Sequence, residues 1–163
     1  MFSKAAKQEG YEQIAEIFQI TANQEKEHAK RFFRFLEGGM VEITAMYPAG
    51  KVGTTLENLK AAADGEYEEW QDLYPKFAAI AKEEGFNDIA VAFNMIAKAE
   101  VEHERRYRKL LLNLETDQVF KKATPVKWYC SNCGFIVESD HAPEKCPACL
   151  HPKAYFQLQS DNY

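Results

Sequence analysis

Two groups of residues in this chain have the types and spacing for metal chemistry. All four cysteines stand in one short window, as Cys130-Ser-Asn-Cys133-Gly134-Phe135 and, after twelve intervening residues, Cys146-Pro147-Ala148-Cys149. A Cys-x-x-Cys step makes a knuckle whose backbone amides can hydrogen-bond to the sulfurs, and Gly134 suits the positive φ that such a turn wants. Two knuckles offer four sulfurs in a tetrahedron, a geometry that iron and zinc both accept. Chemistry alone therefore leaves a redox iron site and a structural zinc ribbon both open. The second group is Glu25-x-x-His28 and Glu100-x-x-His103, with Glu66 and Glu69 at the same three-residue step between them. On a helix that step returns to nearly the same face, so the carboxylate and imidazole of each pair reach one point. Hard carboxylates beside borderline imidazoles describe a dinuclear iron or manganese site better than zinc or calcium. Glu27 and Glu102 point off this stripe and are expected in surface ion pairs. His141 and His151 flank a site that four cysteines already fill, so both are expected at the surface.

The elements that must position these groups follow from periodicity. Apolar residues from Ile14 to Leu36 recur at steps of three and four, predicting a helix over 11–37 that ends at Gly38-Gly39. Thr54 or Thr55 is a candidate N-cap for a second helix with Leu56, Leu59, Ala63, Trp70 and Phe77 on its apolar side, kinked at Pro75. Gly85 separates it from a third helix over 87–114. A shift of 75 lays residues 9–36 on 84–111 with 11 identities in 28 positions, among them Glu25/Glu100, His28/His103 and Arg31/Arg106. Phe2/Phe77, Ala6/Ala81 and Lys7/Lys82 extend the match, so residues 1–9 correspond to the last turns of the second helix. The plan is two helical hairpins in a pseudo-two-fold bundle. Glu plus Glu-x-x-His on such helices is the ferritin-like di-metal arrangement. The expected fold is therefore mainly α: a ferritin-like four-helix bundle with its first helix largely missing from this chain, over 1–114. A polar linker over 115–126 and a small metal-knuckle domain over 127–163 follow. The symmetry mate of Glu66 falls upstream of Met1, so the carboxylate of the first helix is expected from a longer form of the chain or from another polypeptide; failing both, the site is asymmetric.

Composition narrows the partners. Twenty Lys and Arg against 25 Asp and Glu leave a net charge of −5, which argues against a nucleic-acid binder. No apolar run approaches the roughly 18 residues of a membrane span, and Met1–Gly10 lacks the apolar core of a secretory signal. The expectation is a cytoplasmic protein whose clustered cysteines hold a metal rather than disulfides. Aromatics Trp128, Tyr129, Phe135, Tyr155 and Phe156 would form the small core of the cysteine module, which at 37 residues needs its metal to fold.

A ferritin-like bundle followed by a four-cysteine module resembles the rubrerythrin family over nearly the whole chain. The residues that carry the resemblance are Gln24 to Arg31, Gly65-Glu66-Tyr67-Glu68-Glu69, Ala99 to His103, and Cys130 to Cys149, the last looking like a short rubredoxin-like domain. The chain departs from the pattern in the absent first-helix glutamate and in Leu150, where a second knuckle often has glycine. The resemblance implies reduction of hydrogen peroxide to water in oxidative-stress defence. A di-iron centre would be bridged by Glu66 and Glu100 and completed by Glu25, His28, Glu69 and His103, with Tyr74 hydrogen-bonding beside it. Spare ligand capacity of Glu69 against His28 would let one iron shift between redox states. One rubredoxin-type iron on Cys130, Cys133, Cys146 and Cys149 would relay electrons from an external donor protein fed by NAD(P)H, and zinc can substitute for that iron on expression. A head-to-tail homodimer, with helix exchange or a separate first-helix segment, is implied as well. Two rivals are iron oxidation and storage, which has no need of a sulfur-ligated relay, and an interaction module built on a zinc ribbon.

Overall fold

The computed structural model describes residues 1–161, and its elements follow the predicted order with instructive differences. Helix α1 (Phe2–Gln8) turns at Gly10 into α2 (Glu12–Phe33). An extended strap leads to α3 (Thr55–Glu68), which passes through one wide π segment (Glu69–Leu73) into α4 (Tyr74–Glu83). Gly85 then turns the chain into α5 (Asn87–Glu115). Thr54 is the N-cap of α3: its hydroxyl accepts from the Glu57 amide while the Glu57 carboxylate accepts from the Thr54 amide, a reciprocal capping box. Helix α2 stops four residues before the predicted Gly38-Gly39 end, since its last turn already tightens at Arg34.

The internal repeat survives as geometry. Gly10 and Gly85 both adopt positive φ, +84° and +86°, which glycine reaches without a Cβ penalty. Each donates to the carbonyl three residues back at 3.1 Å, and the following Tyr11 and Phe86 amides bond to Ala6 and Ala81 at 2.9 and 2.7 Å. The aromatic pairs match too: Phe2 meets Phe18 at 5.5 Å between centroids, and Phe77 meets Phe93 at 5.4 Å. The bundle core of Ile14, Phe18, Leu59, Ala63, Tyr107 and Leu111 sits between α1, α2, α3 and α5. Residues 54–84 do not bury the whole predicted stripe. Leu59 and Ala63 are inside, whereas Leu56, in the first turn of α3, is exposed; beyond it Trp70 is half-buried and Phe77 exposed, because the π segment rotates the second half of this long helix relative to the first. Pro75, predicted to kink, stands at the start of α4 just beyond that wide turn, where its missing N–H costs no regular bond.

Part of the predicted linker is strand. Strand β1 (Lys121–Cys130) pairs antiparallel with β2 (Ile136–His141) and with β3 (Phe156–Leu158), giving the order β2-β1-β3. The register shifts between Lys121 and Val126, where Pro125 has no amide to give the ladder. Trp128 and Phe156 are fully buried beneath the sheet with Cys130 and Cys146, and Phe135 and Tyr155 pack on them. The module rests on the first hairpin, with Phe120 stacked on Tyr11 at 6.0 Å and Ala154 over Gly10. Among the described residues no helix is long and apolar enough to cross a membrane.

Candidate metal centres

Two helices present the duplicated motif to one another. Glu25 and His28 lie on α2, Glu100 and His103 on α5, and the two imidazoles face each other at 5.8 Å between centroids and 22° between planes. Each imidazole is met by both carboxylates. His28 Nδ1 lies 3.2 Å from Glu25 Oε2 and 3.0 Å from Glu100 Oε1. His103 Nδ1 lies 3.0 Å from Glu25 Oε1 and 2.9 Å from Glu100 Oε2. Glu66, near the end of α3, completes the group at 3.5 Å from His103. Donor atoms of Glu25, Glu66, Glu100 and His103 all fall within 4.8 Å of one another. The carboxylates that span both imidazoles are thus Glu25 and Glu100, whereas Glu66, to which the resemblance gave a bridging role, meets His103 alone. Glu66 reaches the cluster from one end, because its helix approaches from the side of His103.

Glu69 opens the π segment, and its carboxylate is buried within range of the charges of Glu66, Glu25 and Glu100, with the Tyr74 hydroxyl directed at it. Tyr74 is itself held among Phe32 and Phe93, at 5.9 and 5.8 Å. All seven bundle residues singled out in the sequence are therefore brought to one region. Glu27 and Glu102 turn outward and pair with Lys30 and Arg105 at 2.6 and 2.7 Å, as their spacing predicts.

Electrostatics and hydrogen bonding both show a site built for cations. Glu25 Oε1, Glu66 Oε2, Glu69 Oε2, both oxygens of Glu100 and His103 Nδ1 are buried with no hydrogen-bond partner. Their mutual contacts are short but misaligned for hydrogen bonds, the pattern expected of donors aimed at shared points between them. Buried polar atoms without partners are costly, and a coordinated metal removes that cost. Without a metal the cluster retains protons. Burial alone would lower His103, but its contacts with Glu100, Glu25 and Glu66 prevail and raise it to about 11. Burial, together with the charges of Glu66, Glu25 and Glu100, pushes Glu69 up to about 7. Burial also raises Glu66, whereas at Glu25 it is outweighed by His103 and His28, which hold that carboxyl below its usual range. The donor set fits a di-iron centre.

The two halves are unequally covered. Glu100 is 0% exposed and His103 6%, against 37% for Glu25 and 17% for His28. The open side is a cavity of about 380 Å³ bounded by Phe2, Phe18, Ala22, Glu25, Glu66 and Tyr107.

In the small module the four sulfurs converge as their spacing predicts. Cys130 and Cys149 Sγ are 3.8 Å apart and Cys133 and Cys146 Sγ 3.7 Å, too far for disulfides. A tetrahedron with metal–sulfur bonds of about 2.3 Å has edges of about 3.8 Å, so this quartet is already metal-shaped. Amides serve the sulfurs: that of Phe135 bonds to Cys133, and that of His151, the first cause, lowers Cys149 to about 6. Burial raises Cys130. Gly134 takes φ +81° after the first knuckle, and Leu150 takes φ +64° at the equivalent place in the second. His141 is exposed as expected. His151 is not: it is half-buried, its ring edge-on to Tyr155 at 4.8 Å and its Nδ1 3.2 Å from the Cys149 carbonyl. Nothing in its spacing signals this, because it is the fold of the second knuckle that lays it against Tyr155.

The chain is similar to known proteins over nearly its whole length. Residues 1–111 match the family model for rubrerythrin, and residues 128–157 match that for the rubredoxin-like domain of rubrerythrin. The rubrerythrin of Porphyromonas gingivalis is 60% identical over 99% of this chain and 81% of its own length. That of Clostridium perfringens is 55% identical over 99% of this chain and 85% of its own. Among solved structures, fully reduced, all-ferrous nigerythrin is similar at a TM-score of 0.63 and 32% identity, over 97% of this chain and 76% of that one.

Proposed function

This chain belongs to the rubrerythrin family, and from that premise we propose that it is a cytoplasmic peroxidase that reduces hydrogen peroxide to water. The balance is one peroxide, two electrons and two protons to two waters. Glu25, His28, Glu66, Glu69, Glu100 and His103 would hold a di-iron centre, and Cys130, Cys133, Cys146 and Cys149 a single rubredoxin-type iron. When bound, the di-iron centre supplies the two electrons that break the O–O bond. The chain's own residues do the rest. Glu25 and Glu100 span both imidazoles and so fix the separation of the two positions. The Tyr74 hydroxyl, directed at the Glu69 carboxylate, orients that group. The walls formed by Phe32, Phe93 and Tyr74 exclude water from one end, while the cavity beside Glu25 leaves the other end open to a molecule as small as peroxide.

The module lies against the start of α2, where Ser131 and Tyr155 share a cleft with Glu12 and Glu16. Glu25 is 13 residues further along, about 20 Å at the rise of an α-helix. Electron tunnelling falls exponentially with distance, which supports delivery to the centre of a second subunit in a homodimer. An external donor protein, linked to NAD(P)H, would refill the sulfur site.

The observation that carries this reading is the convergence of six carboxylate and imidazole side chains with unpartnered buried donors, in the same chain as a metal-shaped sulfur quartet. Stopped-flow mixing of the fully reduced, iron-loaded protein with peroxide tests it. The reading expects one peroxide consumed per two electrons, with oxidation of the bundle site preceding the colouring of the sulfur site as its iron turns ferric. Dioxygen reacting faster than peroxide, with mineral accumulating on added ferrous iron, would replace it with iron storage.

A further inference from the structure

The π segment is an unusual way to carry a ligand. A wide turn has poorer hydrogen-bond geometry than an α-turn and is rare, so it persists only where its surroundings enforce it. Here the Tyr74 amide reaches back five residues to the Glu69 carbonyl. Pro75 favours the arrangement by lacking an amide, but it does not by itself select where the extra residue goes.

The residue next to Glu69 supplies what is missing. The Trp70 indole Nε1 donates to Glu104 Oε2 at 2.8 Å, a bond that crosses from the π segment to α5. Glu104 is in turn the residue next to His103. Its other oxygen accepts from Arg108 Nε at 3.1 Å, and Arg108 Nη1 reaches Asp64 Oδ1 at 2.8 Å on α3. The indole is also braced by Tyr67, edge-on at 5.3 Å and 84°. The chain Trp70–Glu104–Arg108–Asp64 therefore runs along the back of Glu66, Glu69 and His103 and ties together the three segments that carry them. Its acceptor carboxylate is paired with Arg108 and its donor is half-buried, which makes the bond stronger than an exposed neutral one.

We propose that Trp70 and Glu104 are positioning residues: their hydrogen bond keeps the π segment in its wide register and so keeps the Glu69 carboxylate aimed into the di-metal cluster. Neither touches the cluster. Without the bond the segment is free to close toward α-type hydrogen bonding, and at about 100° of rotation per residue even a partial change turns Glu69 off the cluster. The proposal rests on the reading of Glu69 as a ligand, and its test separates the two.

The test uses the full chain loaded with cobalt(II), whose visible absorption reports coordination number, with competitive chelation to measure the affinity of each bundle metal. Trp70→Phe keeps the ring against Tyr67 and removes the donor. It is expected to weaken one of the two bundle metals by about 10–100-fold, the usual range for loss of an outer partner. The bundle absorption should change, while the sulfur-site spectrum and the melting temperature stay near those of the parent. Glu104→Gln, which keeps an acceptor for the indole, is expected to bind both metals nearly as the parent does, and Glu104→Leu to reproduce Trp70→Phe. Parent-like affinity and spectrum in Trp70→Phe, when Glu69→Gln weakens one metal, would overturn the proposal and leave the ligand reading intact. Parent-like binding in Glu69→Gln would overturn both. Losses in Trp70→Phe and Glu104→Leu that merely track a falling melting temperature would assign the bond to general stability and also overturn it.

Discussion

The same Glu-x-x-His motif occurs twice in this molecule in two different environments. On α5, Glu100 and His103 are sealed, and on α2, Glu25 and His28 border an open cavity. Sequence symmetry thus does not carry over into equal burial. The α5 copy is backed by Trp70, Glu104 and Arg108 and packs on α3, whereas the α2 copy meets α5 on one face and has the short α1 beside its first turns. One half is sealed by its neighbours, and the other borders open space beside Glu25.

That contrast can be broken most directly by removing one imidazole at a time. His103→Ala should weaken di-metal binding by more than the ~100-fold upper range for outer-shell losses, because it strips a sealed donor and leaves Glu100 and Glu66 facing each other. His28→Ala should cost less, since water can enter and substitute on the open side. Equal losses in competitive chelation would remove the distinction between the halves.

Metal removal separates bundle from module on a similar scale. Chelation should unfold the cysteine module, whose small core is closed by the sulfur site, and abolish its near-ultraviolet tryptophan signal from Trp128. The helical circular dichroism of the bundle should largely survive, held by a core that includes no ligand. A module that keeps its tryptophan signal without metal would contradict this.

A third expectation concerns pH, with opposite signs for empty and loaded protein. Glu69 is raised from its usual 4.5 to about 7, so the folded state binds its proton more tightly than the unfolded state does. His103 is raised from 6.5 to about 11, and the stability it contributes below 6.5 is lost as pH climbs toward 11. The metal-free bundle should therefore lose stability as pH rises above about 4.5. Metal binding must expel these protons, so affinity should fall as pH falls, by about tenfold per unit for each proton displaced, with the slope steepening below about 7. Thermal melts and chelator titrations across that range check both signs.

The smallest effect is expected in the module. Leu150 is 64% exposed and sits at φ +64°, the place where the first knuckle has Gly134. Leu150→Gly should stabilise the metal-loaded module by roughly 0.5–1 kcal/mol, because a left-handed backbone costs a leucine roughly 1–2 kcal/mol, glycine's larger unfolded-state entropy offsets part of that, and little packing is lost. Denaturant unfolding followed by Trp128 fluorescence would show it.

Much of this architecture was legible before any coordinates. The 75-residue offset located both acid–imidazole pairs and the two glycine turns, and the cysteine spacing located the sulfur site, because each is a short-range pattern that helix or knuckle geometry converts directly into position. What stayed hidden depends on how long side chains and segments meet. The spacing of Glu66 and Glu69 is the same in an α-helix and at the mouth of a π turn, so the wide segment left no trace. That Glu25 rather than Glu66 meets both imidazoles was likewise hidden, since the face of a helix does not say how far a carboxylate reaches across it. Trp70 read as core for want of its partner, Glu104, 34 residues away. Residues 121–126 read as linker because strand pairing there is interrupted at Pro125.

The most direct measurement of the central claim is anomalous diffraction at the iron edge from crystals of the iron-loaded protein. The account predicts two peaks between Glu25 and Glu100, roughly 3.5–4 Å apart as in other two-metal sites, and a third at the four sulfurs. A bundle with a single peak or none, beside a filled sulfur site, would contradict it.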